Sequence, residues 1–264
     1  MTRKIIALVI ISAIALATSC TSGKHKELNT YADFERGYIG VISGMICDQI
    51  VEDDLHGIPA YYADLESALA DIRSGEIDGF MIDLSIATVF TGTAGNEDLK
   101  VVKVPVGVFE APLGAVSADS DIINDFNVFL SRIRTDGSFY AIQRRWLEDI
   151  PTLSTTIPEI DASSFSGSAE PLIIATSGAG IPFSYTNTDG GLSGFAVELA
   201  LWFAAYRNQP AEFVTMDFSE LITAAQNGKV DIAIDGISIT HERRQLVLFT
   251  DSFYDDGLGI ISLK

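Results

Sequence analysis

Asp231-Ile232-Ala233-Ile234-Asp235-Gly236-Ile237-Ser238-Ile239-Thr240-His241-Glu242-Arg243 is the stretch on which the reading of this chain turns. Its first four residues form a short apolar run that stops at Asp-Gly, the pattern of a buried strand ending in a turn. Its last four open a helix: Thr240 is a good N-cap, and Arg243 then falls in the first turn. Working backwards, Phe218–Gln226 has helical spacing, Glu212–Thr215 reads as a strand, Phe195–Tyr206 as a helix, Asn187–Gly191 as a hairpin-like turn and Leu172–Thr176 as a strand. Strands alternating with helices predict parallel sheets with helical crossovers.

The first half alternates in the same way. Tyr38–Ser43, Asp78–Ile82 and Lys100–Val104 read as strands. Asp64–Arg73 reads as a helix closed by Gly75, and Asn124–Ile133 and Phe139–Leu147 as two helices separated by Asp136-Gly137. One local pattern occurs in both halves: Leu65-x-x-Ala68-Leu69 before Gly75-x-x-Asp78, and Leu221-x-x-Ala224-Ala225 before Gly228-x-x-Asp231. It fits either a true repeat or any helix–turn–strand unit. Residues 150–170 are rich in Ser, Thr and Pro, lack an apolar period, and read as a linker.

The chain has 264 residues, 17 Lys and Arg against 36 Asp and Glu, and a formal net charge of -19. This acidity excludes a nucleic-acid partner, which needs clustered cations. Two cysteines, Cys20 and Cys47, and three histidines without ligand spacing exclude a disulfide framework and a zinc site, so no metal or other cofactor is expected. Cys47, in Met45-Ile46-Cys47, reads as a small buried residue. Residues 1–20 carry a basic start (Arg3, Lys4), an apolar run from Ile5 to Ala17, and then Ser19-Cys20. This resembles a bacterial lipoprotein signal, which implies lipidation at Cys20. An ordinary secretory signal is the alternative, and either one implies export.

The second half resembles the type 2 periplasmic solute-binding proteins that serve polar amino acid ABC transporters. The resemblance rests on the quoted stretch, on Pro182-Phe183-Ser184-Tyr185, on Gly191–Leu199, on Phe218–Ile222 and on Phe249–Tyr254. Tyr38–Gly44, Gly75–Asp83 and Asp136–Leu147 resemble the other lobe and the last helix of that family. The implied fold is α/β and two-lobed, each lobe a mixed sheet flanked by helices. The order is reversed relative to the family, which implies a circular permutant. Its expected parts are a signal at 1–20, a tether at 21–36, lobe 2 at 37–111, a hinge crossing at 112–118, the C-terminal helices of lobe 1 at 119–149, the linker at 150–170, and the N-terminal part of lobe 1 at 171–264. A truncated tandem gene is the alternative. With one hinge strand interrupted, only residues near 111–118 are expected to cross covalently, giving a looser hinge.

The resemblance implies a ligand site. Arg243 is the candidate for a ligand carboxylate, because a guanidinium makes two parallel hydrogen bonds to one; the alternative is a surface ion pair with Glu242 or Asp251. Ser238 and the Gly236 backbone resemble further contacts on that lobe. Asp83 resembles the carboxylate that meets the ligand's ammonium, and an N-cap for the helix after it is the other reading. Phe218 resembles an aromatic wall, or is plain core. Phe183 and Tyr185 are weaker candidates for the cleft rim, and the Gly44–Ile46 backbone, with Met45, could donate N–H groups. Gly180, Ser177, Met45 and Ile46 depart from the family's polar and aromatic pattern, which implies a roomier, more apolar pocket.

The expected function is a lipid-anchored extracytoplasmic receptor, not an enzyme, that closes on a small amino-acid-like carboxylate and presents it to an ABC transporter permease. A sensory or structural lipoprotein of the same fold, or a dehydratase-like enzyme, is the alternative.

Overall fold

The computed structural model describes residues 27–108, 112–149, 151–158 and 170–264. The signal with Cys20, residue 111 of the expected crossing, and most of the linker lie outside the described residues.

The chain first supplies β1 (Tyr38–Ile42), α1 (Cys47–Asp53), β2 (Ile58–Tyr62), α2 (Leu65–Ser74), β3 (Gly79–Asp83), α3 (Leu84–Thr91) and β4 (Leu99–Lys103). Next come β5 (Pro112–Leu113), β6 (Val116–Ser117), α4 (Ser120–Asp136), α5 (Ser138–Gln143) and a π-helical turn at Arg144–Glu148. The remainder supplies β7 (Leu172–Thr176), β8 (Ala179–Gly180), β9 (Ser184–Thr186), β10 (Leu192–Ser193), α6 (Phe195–Tyr206), β11 (Ala211–Thr215), a 3-10 turn at Phe218–Glu220, α7 (Leu221–Gln226), β12 (Ile232–Ala233), α8 (His241–Arg244), β13 (Leu248–Phe249), β14 (Tyr254–Asp255) and β15 (Leu258–Leu263). The expected helix over 218–226 thus starts as a tighter 3-10 turn.

Among the described residues, two five-stranded sheets run β2-β1-β3-β15-β4 and β11-β7-β12-β6-β13. They have the same plan. The first strand of each lobe pairs in parallel with the second and third. The fourth place is taken by an antiparallel strand arriving from the other lobe: β15 between β3 and β4, β6 between β12 and β13. The lobes therefore exchange strands. This is the two-lobed α/β architecture, with mixed sheets flanked by helices, that the resemblance implied.

The pattern found in both halves has one structural meaning. In lobe 2 the amide of Asp78 donates to the carbonyl of Tyr38 at 2.8 Å, and the Asp78 carboxylate accepts from the Tyr38 amide at 2.9 Å. In lobe 1 the amide of Asp231 donates to Ile173 at 2.9 Å, and its carboxylate accepts from the Ile173 amide at 2.7 Å. Each aspartate pins the entry of the third strand to the first.

Two expected boundaries change. The tether does not run to residue 36, because Leu28 and Phe34 pack into the lobe 2 core through a 3-10 turn at Tyr31–Phe34. Lobe 1 does not run to residue 264. Leu258, Ile260 and Ile261 are buried in the core of lobe 2, where an apolar strand fills the slot between β3 and β4. The chain consequently crosses between the lobes twice. β5 and β14 pair antiparallel, with Leu113 opposite Tyr254, and make a two-stranded ribbon at the hinge. A hinge with a single covalent crossing is not what the structure has.

The helices before the linker pack on lobe 1 beside α6, in a core containing Phe126, Phe129, Trp146, Phe195 and Phe203. A buried polar cluster fastens them there. Glu198 of α6, 1% exposed, accepts from Arg145 at 2.7 and 2.8 Å and from the indole of Trp146 at 2.6 Å. The described start of the linker lies along lobe 1, where the Tyr185 hydroxyl donates to the carbonyl of Thr152 at 3.0 Å. Tyr185 is buried by this packing and stands in the core, not at a cleft rim.

Candidate functional site

The lobes meet around a cavity of about 520 Å³. Lobe 2 contributes the ends of β1 and β3 and the start of α2; lobe 1 contributes the loops after β7, β11 and β12. The C-terminal ends of parallel strands thus face each other across the cleft, where α/β folds ordinarily bind ligands.

Asp83 ends β3 and is 1% exposed. It holds the N-cap position of α3, yet its side chain makes no capping bond, and neither carboxylate oxygen has a hydrogen-bond partner among the described residues. Burial, reinforced by the charges of Asp256 and Asp235, pushes its carboxyl well above the usual range, and Arg243 offsets this only in part. The capping duty passes to Asp256, just beyond the hinge strand β14. Its carboxylate accepts from the Ser85 amide at 3.1 Å and from the Ser85 hydroxyl. Asp83 is thereby left for the cavity. Opposite it stands Gly236, whose missing side chain sets how close the lobes come: a Cβ there would lie 3.0 Å from Asp83 Oδ2.

Asp235 was not singled out in the sequence, although it lies inside the quoted stretch. Its carboxylate accepts from the amide and hydroxyl of Ser177 at 2.8 and 2.7 Å, from Thr176 at 2.9 Å and from the Gly236 amide at 2.8 Å. Burial raises its pKa and these donors work against the rise. Ser177, one of the departures from the family's pattern, is thus bonded through both amide and hydroxyl to a carboxylate at the cavity wall.

The expected site residues divide into two groups. Asp83, Met45, Phe218 and Gly236 border the cavity together, as do Ser177 and Gly180. Phe183 stands behind Gly236, fully buried against Phe195 and Tyr254. Arg243, Ser238 and Gly44 form a separate seam. Thr240 caps α8 as expected, accepting from the Arg243 amide at 3.2 Å. The Arg243 guanidinium donates to the carbonyl of Ser238 at 2.8 Å and, across the cleft, to that of Gly44 at 2.8 Å. Gly44 has a left-handed φ of 84°, and a Cβ there would lie 2.9 Å from Ser219 Cα, so this contact between lobes requires glycine. Cys47 is fully buried beside the seam.

Asp256 carries a pH prediction. Burial pushes its carboxyl up to about 7. A carboxyl raised on folding keeps its proton in the folded state, so it favours folding at low pH and this stabilisation is lost as pH rises through the folded value. Stability is expected to fall between roughly pH 4 and 7, by up to about 4 kcal/mol from this group. In Asp256→Asn that slope flattens. Urea midpoints at pH 4.5 and 7.5 check it, and an unchanged slope in the variant is the contrary result.

Two lobes of like plan, strand-exchanged and hinged by a ribbon, thus meet over a buried carboxylate. Residues 172–264 match the family described as bacterial extracellular solute-binding proteins, family 3. The arginine-binding extracellular protein ArtP of Bacillus subtilis is 39% identical over 105 residues, 39% of this chain and 41% of that protein. The lysine/arginine/ornithine-binding periplasmic protein of Escherichia coli is 30% identical over 103 residues, 39% of this chain and 40% of that one. Cyclohexadienyl dehydratase of Pseudomonas aeruginosa is 34% identical over 92 residues, 35% and 34% of the two chains. The chain thus spans a third to two fifths of the length of these relatives. No helix among the described residues is long and apolar enough to cross a membrane.

Proposed function

We propose that the protein is an extracytoplasmic solute-binding receptor, anchored by lipid at Cys20, that closes its lobes on a small amino-acid-like solute and passes it to an ABC transporter permease. The observation that carries this reading is Asp83: a buried carboxylate with both oxygens unpartnered among the described residues, at the wall of a cavity between lobes. Removing such a charge from water is costly unless a counter-charge arrives, and an ammonium is the counter-charge a solute would bring. Asp83, Gly236, Met45 and Phe218 form the proposed solute site, and the Arg243–Gly44 seam holds the lobes shut over it. Ligand-linked closure shifts an open–closed equilibrium by the differential affinity for the closed form. The family match confined to 172–264, with lobe 2 preceding it, supports reading the chain as circularly permuted.

The test is thermal unfolding of the purified protein against a panel of amino acids, amines and small carboxylates. A specific ligand at 100 times its Kd is expected to stabilise by about 2.7 kcal/mol. The ligand is expected back unchanged by mass spectrometry; its conversion would favour an enzyme, the reading the dehydratase relative suggests. A folded protein that no solute stabilises counts against the receptor.

A further inference from the structure

We propose that the interlobe cavity is built for an organic amine, a cationic ammonium on an apolar body, and that the α-carboxylate of an amino acid is not part of what it recognises. The inference rests on the receptor reading above and names its substrate class.

The charge on the cavity wall comes first. Among the described residues, every charged side chain bordering the cavity is a carboxylate: Asp64, Glu66, Asp83, Asp217 and Asp235; no described lysine, arginine or histidine borders it. An anionic group placed among them would be repelled in a medium that screens poorly, whereas an ammonium is drawn in. Acidity alone would not make a site. Asp83 is the independent observation, because it is 1% exposed, reaches the cavity wall, and has two oxygens without a hydrogen-bond partner.

Strong donors for a carboxylate are few at the cavity wall. Arg243 directs one N–H of each terminal nitrogen to the carbonyls of Ser238 and Gly44 and does not border the cavity, which leaves the hydroxyls of Ser43 and Ser219. The amide and hydroxyl of Ser177 and the amide of Gly236 donate to Asp235, and the Met45 amide donates to the carbonyl of Ile42 at 3.3 Å. The Tyr62 hydroxyl donates to Asp71 at 2.7 Å. Acceptors, by contrast, stand open at Asp83. The rest of the wall suits an apolar body: Met45, Ile82, Ile86, Phe90, Met216 and Phe218 all border the cavity. Gly180, where the resemblance expected an aromatic residue, leaves room for that body.

The experiment is isothermal titration calorimetry of the purified full chain with matched triplets of amino acid, decarboxylated amine and amine-free carboxylate: L-lysine, 1,5-diaminopentane and hexanoate; L-phenylalanine, 2-phenylethylamine and 3-phenylpropionate. Within the triplet that binds, the decarboxylated amine is expected to bind at least about tenfold more tightly than its amino acid, and the compound lacking the α-amine more weakly than either. An amino acid that binds more tightly than its amine overturns the inference and leaves the receptor reading standing, with a carboxylate contact restored. A carboxylate that binds without an α-amine overturns the assignment of Asp83 as well. If no member of either triplet binds and the wider panel also fails, the receptor reading falls and takes this inference with it.

Discussion

Asp83→Asn is expected to weaken solute binding by two to three orders of magnitude while making the ligand-free protein more stable. The two effects have one cause. Asp83 is buried without a hydrogen-bond partner among the described residues, so in the ligand-free protein its ionisation is costly. Taking away one member of a buried ion pair typically costs about 3–5 kcal/mol of interaction, because the other charge is left unpaired. Without the solute, the same substitution replaces an ionisable carboxyl with a neutral amide of the same shape. Its carboxyl is raised by burial, so the penalty for ionising it grows with pH, and the variant's gain is expected to be larger at pH 8 than at pH 5. The gain comes from removing the ionisation penalty alone, because the amide is as unpartnered as the carboxyl it replaces. Calorimetry and urea denaturation on the same preparation measure both effects. Binding that survives the substitution would remove Asp83 from the site; a loss of stability would mean that its carboxylate is paired in solution.

Glu198→Ala is expected to cost about 3–5 kcal/mol of folding stability. Glu198 accepts from Arg145 through both oxygens and from Trp146, whose side chain is fully buried. The alanine variant leaves a buried indole N–H and a half-buried guanidinium without their acceptor. These bonds also join α6, after the linker, to the helical turn before it, so the loss falls where the two sequence segments of lobe 1 meet. Glu198→Gln, which keeps an acceptor but not the charge, is expected to fall in between. Arg73 and Asp98 supply the contrast: they pair at 2.8 Å with both side chains more than a third exposed, and Asp98→Asn there is expected to cost far less than Glu198→Ala. Denaturant midpoints rank the variants. Equal costs at the two sites would show that the Glu198 cluster adds nothing beyond a surface pair.

What could be read from the sequence were local features. Strand and helix periods, the Thr240 cap and the Gly-x-x-Asp pattern each depend on neighbours a few residues apart, and each reappears in the structure. Contacts set by long-range pairing were not legible. Leu258–Leu263 is apolar throughout, and such a run says that a strand is buried but not in which sheet. Arg243 meets a backbone carbonyl 199 residues away, and a carbonyl leaves no mark in sequence. Asp83 has the position of an N-cap, and only the arrival of Asp256 from the hinge shows that the capping is done elsewhere. Asp235 was visible as an acid beside a glycine, but its bonds to Thr176 and Ser177 depend on the parallel pairing of β12 with β7.

The exchange of strands bears on how the molecule is made. In lobe 2, β4 is held to the sheet only through β15, and 154 residues separate the two strands along the chain. A ribosome adding about 5–20 residues per second would need roughly 8–30 s to cover that interval. Throughout it, β3 has an unpaired edge where β15 will lie and β4 has no neighbour, a template for intermolecular pairing. The first lobe to emerge is therefore the last to be completed. The nascent protein would depend on chaperones to shield that open slot, and a ribosome stalled before residue 258 would yield a chain that has all the proposed site residues and no finished sheet to carry them.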